Sequence, residues 1–265
     1  MPLTRFQIEV LRVLAGGRSP DSYVAGGTVI NAAATAPRFS GDVDVFHDAA
    51  ASVARSVAVD AQTLFANGFT VTWQLRLEAF ARALVQRDGE ACKLEWTADS
   101  AFRFFPTEPD PTCGWRLHPL DAATNKVLAL VGRREPRDYV DAVYLHRTQL
   151  SFGALCWAAA GKDAGFTPAM LVELAARSTH YRQEEIDALY LATPVDALAL
   201  KAQWLVALEE ARELVTRLPA ADVGCLYLDA SGRAVTPGPE FAGLVRHFGC
   251  VGGAWPIGHP MASAR

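Results

Sequence analysis

The sequence predicts an α/β (α+β) chain, a sheet flanked by helices and followed by a helical C-terminal region. Three observations carry this. From Phe6 to Trp96, stretches with apolar residues at helical spacing alternate with short runs of strand character. Asp88-Gly89, lying between two of those runs, is a strong signal for a two-residue hairpin. From Ser151 to about Leu218 the pattern is mostly helical.

Taken in order, Phe6, Val10, Val13 and Leu14 line one face of a first helix, which Gly16-Gly17 stops. Tyr23-Val24-Ala25 reads as a short buried strand leading into Gly26-Gly27. Thr28 to Ala34 is expected to be a small-residue helix, broken by Pro37, and Arg38 to Gly41 is the loop before a strand carrying Asp42 and Asp44. Ala49 to Asn67 is expected to form one helix, closed by Asn67-Gly68. Strands are expected over Phe69–Leu75, Phe80–Gln86 and Ala91–Trp96, with Arg103-Phe104-Phe105 as an edge strand. Pro106, Pro109 and Pro111 suggest a rigid loop, and Trp115-Arg116-Leu117 a further short strand. Asp121 is expected to cap a helix running to Arg133, and another helix opens after Pro136. Thr167-Pro168 is a good helix start, with a capping hydroxyl and then proline in the first turn. Ser231-Gly232 splits Cys225–Val235 into a small hairpin, and the tail from Gly249 is expected to be loop.

The chain has 265 residues, 51% hydrophobic and 20% charged, enough for one large domain or a catalytic core with an appended unit. No apolar run approaches the length that crosses a bilayer, and no secretory signal is seen, so a cytoplasmic protein without membrane contact is expected. Five scattered cysteines form no Cys-x-x-Cys pair, which points to neither a disulfide framework nor a zinc site. A net charge of −4 argues against a surface coated in basic residues for nucleic acid.

The chemistry concentrates between Ala25 and Phe46. In Asp42-Val43-Asp44, strand geometry sends both carboxylates to one face, while Val43, Val45 and Phe46 offer apolar surface. Two like charges held side by side repel, and a divalent cation between them is the usual remedy. Gly26-Gly27 removes side chains where a backbone comes close to a ligand, and a helix N-terminus there presents N–H groups to an anion. A solvated surface also carries Asp-x-Asp, and turns use Gly-Gly freely. Glu95, on a strand of the same sheet, is either a third carboxylate on that face or a solvent-facing strand residue. Lys126, in an apolar helical run, is either a snorkelling lysine or a phosphate contact. Asp138 and Asp141 share a helix face, and Arg137 can pair with Asp141 at four-residue spacing, a helix-start charge network in the simplest reading. The six histidines show no metal or triad spacing and are expected to be structural or exposed; the tryptophans are expected to anchor cores or interfaces.

Together, Gly26-Gly27-Thr28, Arg38-x-Ser40-x-Asp42-x-Asp44, Leu117-His118-Pro119-Leu120-Asp121-x-x-x-Asn125-Lys126-x-x-Ala129-Leu130, Arg133-Arg134 and Arg137-Asp138-x-x-Asp141 resemble the AbiEii/AbiGii-type nucleotidyltransferases. These belong to the DNA polymerase β-like superfamily and include toxins of toxin–antitoxin and abortive-infection systems. The resemblance spans about Val24 to Leu145. It implies a nucleotidyltransferase core over 1–148, with a mixed sheet flanked by helices, and a mainly helical region over 149–265 with a small hairpin near 225–235. It implies that Gly26, Gly27 and Thr28 hold the triphosphate of an incoming nucleotide and that Arg38 and Ser40 match the loop beside it. Asp42 and Asp44 would bind magnesium, with Glu95 at the third carboxylate position, where the wider superfamily mostly has Asp. Lys126 would contact phosphate, and Asp138 and Asp141 would complete the second cluster. The implied activity is transfer of a nucleoside monophosphate (or several) from an NTP to an RNA (tRNA-like) or protein acceptor, with two Mg²⁺ ions, and an antitoxin is the implied partner. One ion would activate the attacking hydroxyl and the other would stabilise the pyrophosphate leaving group. The alternatives are a non-catalytic nucleotide- or partner-binding module of the same fold and a metal-dependent glycosyltransferase.

Overall fold

The computed structural model describes residues 3–178 and 180–259. The chain divides into two compact units, one running through Ala101 and including Pro106–Ala122, the other made of Phe102–Phe105 and the chain from Ala123 onward. By compactness, then, the division falls at other residues than the 148/149 boundary that the motifs suggest.

The first unit is built on a seven-stranded mixed sheet. Its strands are β1 (Ser22–Ala25), β2 (Asp42–His47), β3 (Thr70–Arg76), β4 (Phe80–Arg87), β5 (Glu90–Ala98), β7 (Glu108–Asp110) and β8 (Gly114–Arg116), and β6 (Phe102–Arg103) belongs to the second unit. Their order is β3-β4-β5-β2-β1-β8-β7, with β2 parallel to β5, β1 parallel to β8 and the other pairs antiparallel. The β4–β5 turn is the one expected: Asp88 at φ 52° and Gly89 at φ 84° are both left-handed, as a type I′ turn requires.

Helix α1 (Arg5–Leu14) opens on a capping box between Thr4 and Gln7. It packs with α3 (Ala50–Ala66), both helices lying against the sheet. That face of the sheet carries Val43, Val45, Ala83, Val85, Leu94 and Trp96, all at most 1% exposed. Trp96 Nε1 donates to Asp60 of α3 at 2.7 Å, and Arg18 pairs with the same carboxylate. Because side chains alternate along a strand, covering this face with helices leaves the even residues of β2 and the odd charged residues of β5 on the other face. That sidedness positions the site.

Several expectations in this unit need correction. The short helix α2 spans Gly26–Ile30 rather than Thr28–Ala34, because Asn31 closes it, its side-chain amide donating back to the Gly27 carbonyl at 3.0 Å. Phe46 lies on the carboxylate side of β2 and contacts Tyr23, ring centroids 6.5 Å apart, rather than joining Val43 and Val45. The proline-rich loop contains a strand, β7, at the edge of the sheet, where Pro109 is tolerated because one side of an edge strand needs no ladder bond. Helix α4 (Pro119–Arg133) begins two residues before the expected cap Asp121; His118 Nδ1 accepts from the Leu120 amide, and Asp121 is buried in the first turn.

The second unit is mainly helical, as expected: the remainder of α4, then α5 (Pro136–Thr148), α6 (Phe152–Ala159), α7 (Pro168–Ala176), α8 (Gln183–Asp187) and α9 (Ala197–Arg217). Thr167 caps α7 from its side chain to the Met170 amide. Helices α6 and α9 meet closely at Gly153, where an added Cβ would fall 2.8 Å from Ala211 Cα. Trp204 packs edge-on against Phe152 and Tyr139, a core role matching the sequence reading of the tryptophans. The expected 225–235 hairpin is only a local turn; β9 (Cys225–Leu228) finds its main partner further on, in β10 (Val245–Phe248). β6 (Phe102–Arg103) is not an edge of the large sheet. It pairs with β11 (Cys250–Val251), so the tail after Gly249 contains a strand.

Candidate functional site

The site grows from the register of two neighbouring strands. β2 and β5 run parallel with Asp42 beside Lys93 and Asp44 beside Glu95. All four side chains therefore stand on one face, in two adjacent rungs. One oxygen from each of Asp42, Asp44 and Glu95 lies within 4.8 Å of the others. Asp42 is buried, and the other two are partly exposed.

Two cations that the sequence reading did not single out complete this constellation. Lys93 Nζ is 3.2 Å from Asp42 Oδ2 and 3.5 Å from Glu95 Oε1. Arg82, opposite Glu95 across the β4–β5 hairpin, donates from Nε to Glu95 Oε1 at 2.8 Å. Lys93 and Arg82 thus face this group of three carboxylates. The signal for Lys93 was its two-residue spacing from Glu95. For Arg82 it was the hairpin register, counted back from Asp88-Gly89.

The Gly26-Gly27-Thr28 segment lies against the same residues. Gly26 has φ 60°, and a Cβ there would fall 2.2 Å from Asp44 Oδ2. Gly27 leaves room for Ser40, whose Oγ would be 2.9 Å from an added Cβ, and for Arg38. Both hydroxyls of this region are engaged on one backbone atom: Thr28 Oγ1 donates to the Asp42 carbonyl at 3.1 Å and Ser40 Oγ at 2.8 Å. Gln7, from α1, donates to the Ser40 carbonyl at 2.9 Å and ties the loop down. Arg38 is buried and donates to the Phe39 carbonyl at 3.0 Å. Thr28, Arg38 and Ser40 thus fix the start of the carboxylate strand.

The second cluster belongs to the other unit. Lys126 Nζ bridges Asp138 Oδ1 at 2.7 Å and Asp141 Oδ2 at 3.0 Å, both carboxylates fully buried. Arg133 adds a bidentate pair to Asp138, Nε to Oδ2 at 2.6 Å and Nη2 to Oδ1 at 2.9 Å. Burial alone would raise the Asp138 pKa, but the hydrogen bonds and charges of Arg133 and Lys126 outweigh it and hold the group at about 2. Asp141 meets Lys126 of α4, and Arg137 donates to Glu135 at 2.6 Å. His47 is structural, as expected: it is buried beside Ser22, and burial with the nearby Arg18 charge lowers its pKa to about 4.

The profile of the AbiEii toxin family, nucleotidyl transferases of type IV toxin–antitoxin systems, matches residues 12–221. The chain belongs to the AbiEii nucleotidyltransferase toxin family. It is accordingly a nucleotidyltransferase, and the glycosyltransferase alternative falls away. Among solved structures, MenT4, a nucleotidyltransferase toxin from Mycobacterium tuberculosis, is similar with a TM-score of 0.59 at 16% identity, covering 82% of this chain and 83% of that one. JHP933 from Helicobacter pylori is similar with a TM-score of 0.46 at 17% identity, covering 78% of this chain and 92% of that one. The MenT4 likeness shows a shared fold. No curated protein matches the chain. Among the described residues no helix is long and apolar enough to cross a membrane.

Proposed function

We propose that Asp42, Asp44 and Glu95 hold divalent metal, Mg²⁺ by the preference of hard cations for carboxylate oxygen, for transfer of a nucleoside monophosphate from an NTP to a hydroxyl of an RNA or protein acceptor. The observation that carries this reading is the convergence of three carboxylate oxygens within 4.8 Å beside a glycine with no room for a side chain. When bound, such a metal neutralises phosphate charge and lowers the pKa of an attacking hydroxyl. The chain's own contribution is positioning. Thr28 and Ser40 hold the Asp42 carbonyl, and the β2–β5 register fixes the carboxylates as a set. The bare backbone of Gly26 and Gly27 packs directly against Asp44, Ser40 and Arg38, which brings the segment expected to hold the triphosphate beside the carboxylates. The acceptor hydroxyl would attack the α-phosphorus, and the bond to the β-phosphate would break with release of pyrophosphate.

The resemblance gives Lys126 a phosphate contact. Its ammonium already bridges Asp138 and Asp141 with its side chain 5% exposed, so only its third N–H is left to face a phosphate. The geometry favours an anchor between α4 and α5.

Incubating the protein with each α-labelled NTP, Mg²⁺ and total cellular RNA and protein tests the proposal. Label on RNA supports a tRNA-like acceptor, and label on protein supports a modified partner. Nucleotide binding without label would favour the non-catalytic module.

A further inference from the structure

We infer that Lys93 is a placeholder for metal: its ammonium holds Asp42 and Glu95 together in the metal-free protein and must be displaced when a divalent cation binds. The inference rests on the carboxylate-site reading above and goes beyond it, since it assigns a regulatory cation that belongs to the chain.

The geometry is specific. Register places Lys93 in the rung beside Asp42, two residues from Glu95, so its ammonium reaches one oxygen of each. These oxygens belong to two of the three carboxylates a metal would use. A metal takes a carboxylate oxygen at about 2.1–2.5 Å and brings two charges, so it competes for the same electron pairs and repels the ammonium at close range. Arg82 is held differently: it donates to Glu95 and lies over the Phe80 ring, 5.3 Å from its centroid, so it can remain while the metal takes the remaining oxygens. The Lys93 side chain is 34% exposed, which gives it a route to solvent, and a lysine on a four-carbon stem moves more readily than a planar guanidinium. In the free protein, three carboxylates this close repel one another, and Lys93 offsets that repulsion.

The test measures metal binding directly, by Mn²⁺ electron paramagnetic resonance, on the wild-type protein, Lys93→Met, Lys93→Arg and Asp42→Ala/Asp44→Ala, each checked for folding by circular dichroism. Removing a competing charge at this distance is expected to tighten Mn²⁺ binding about tenfold in Lys93→Met. Lys93→Arg, which keeps the charge, is expected to stay near wild type. Thermal stabilisation by saturating Mg²⁺ is expected to be larger for Lys93→Met than for wild type, because its metal-free state has lost the offsetting charge. Equal or weaker Mn²⁺ binding in Lys93→Met, with binding still lost in Asp42→Ala/Asp44→Ala, would overturn the placeholder role and leave the carboxylate site standing. Failure of the wild-type protein to bind Mn²⁺, or binding that survives Asp42→Ala/Asp44→Ala, would overturn both.

Discussion

Asp44 and Glu95 are directly opposite each other in the parallel pairing of β2 and β5. They are 51 residues apart in the chain, and this one rung makes them neighbours. A slip of one residue would send Glu95 to the face that α1 and α3 cover, where a carboxylate would be buried without a partner. The register is pinned on that covered face by Val43, Val45, Leu94 and Trp96, so the hydrophobic side of the sheet sets the geometry of its polar side.

Gly26 is the position where a single methyl group should matter most. Its backbone is left-handed and an added Cβ would overlap Asp44 Oδ2. Gly26→Ala is expected to cost about 1–2 kcal/mol in stability from the backbone alone. Transferase activity should fall much further, by tenfold or more, because Asp44 must move. Urea unfolding and a transfer assay on the same preparation separate the two effects.

Lys126→Ala should act through stability. It leaves two buried carboxylates short of a cation, and losing one partner of a buried ion pair costs about 3–5 kcal/mol. Denaturant melts of the variant against wild type check this.

The same cluster makes an acid-sensitivity prediction. Asp138 has a folded pKa of about 2 against an ordinary value of 3.8. A depressed acid pKa stabilises the fold fully above the unfolded value, and that stability is lost as pH falls from about 4 to about 2. The contribution is on the order of 2 kcal/mol. Asp138→Asn should be less stable than wild type at pH 6, with the difference shrinking through that window. A constant difference from pH 6 to pH 2 would contradict the assignment.

On the covered face, Asp60 joins α3 to the sheet through Arg18 and Trp96. Asp60→Ala would leave the Arg18 guanidinium, 1% exposed, without its counter-ion. A loss of about 3–5 kcal/mol in urea unfolding is expected, with Mn²⁺ affinity unchanged because the proposed metal site is on the other face of the sheet.

What the sequence made legible was local. Asp42 and Asp44 share a face because strands repeat every two residues, and Asp88-Gly89 makes a hairpin because both positions tolerate positive φ. Lys93 and Arg82 obey the same two rules but were not singled out, because a lysine and an arginine on strands look like ordinary solvated residues until the register is known. The rest was hidden by distance along the chain. β6 pairs with β11 and β9 with β10 across long intervening segments, and the Ser231-Gly232 turn signal points to a partner nearer in the chain than β10. Pro109 argued for loop because a sequence does not show whether a short strand lies at an edge. Asp121 looked like a cap because the true cap is the less usual His118.

The most direct measurement is Mg²⁺-dependent transfer of label from an α-labelled NTP, comparing wild type with Asp42→Ala/Asp44→Ala at equal folded concentration. The account predicts labelled acceptor with the wild-type protein and a loss of at least about a hundredfold in the double variant, the scale expected when electrostatic stabilisation of the transition state is removed. Full activity in the double variant would contradict the carboxylate site.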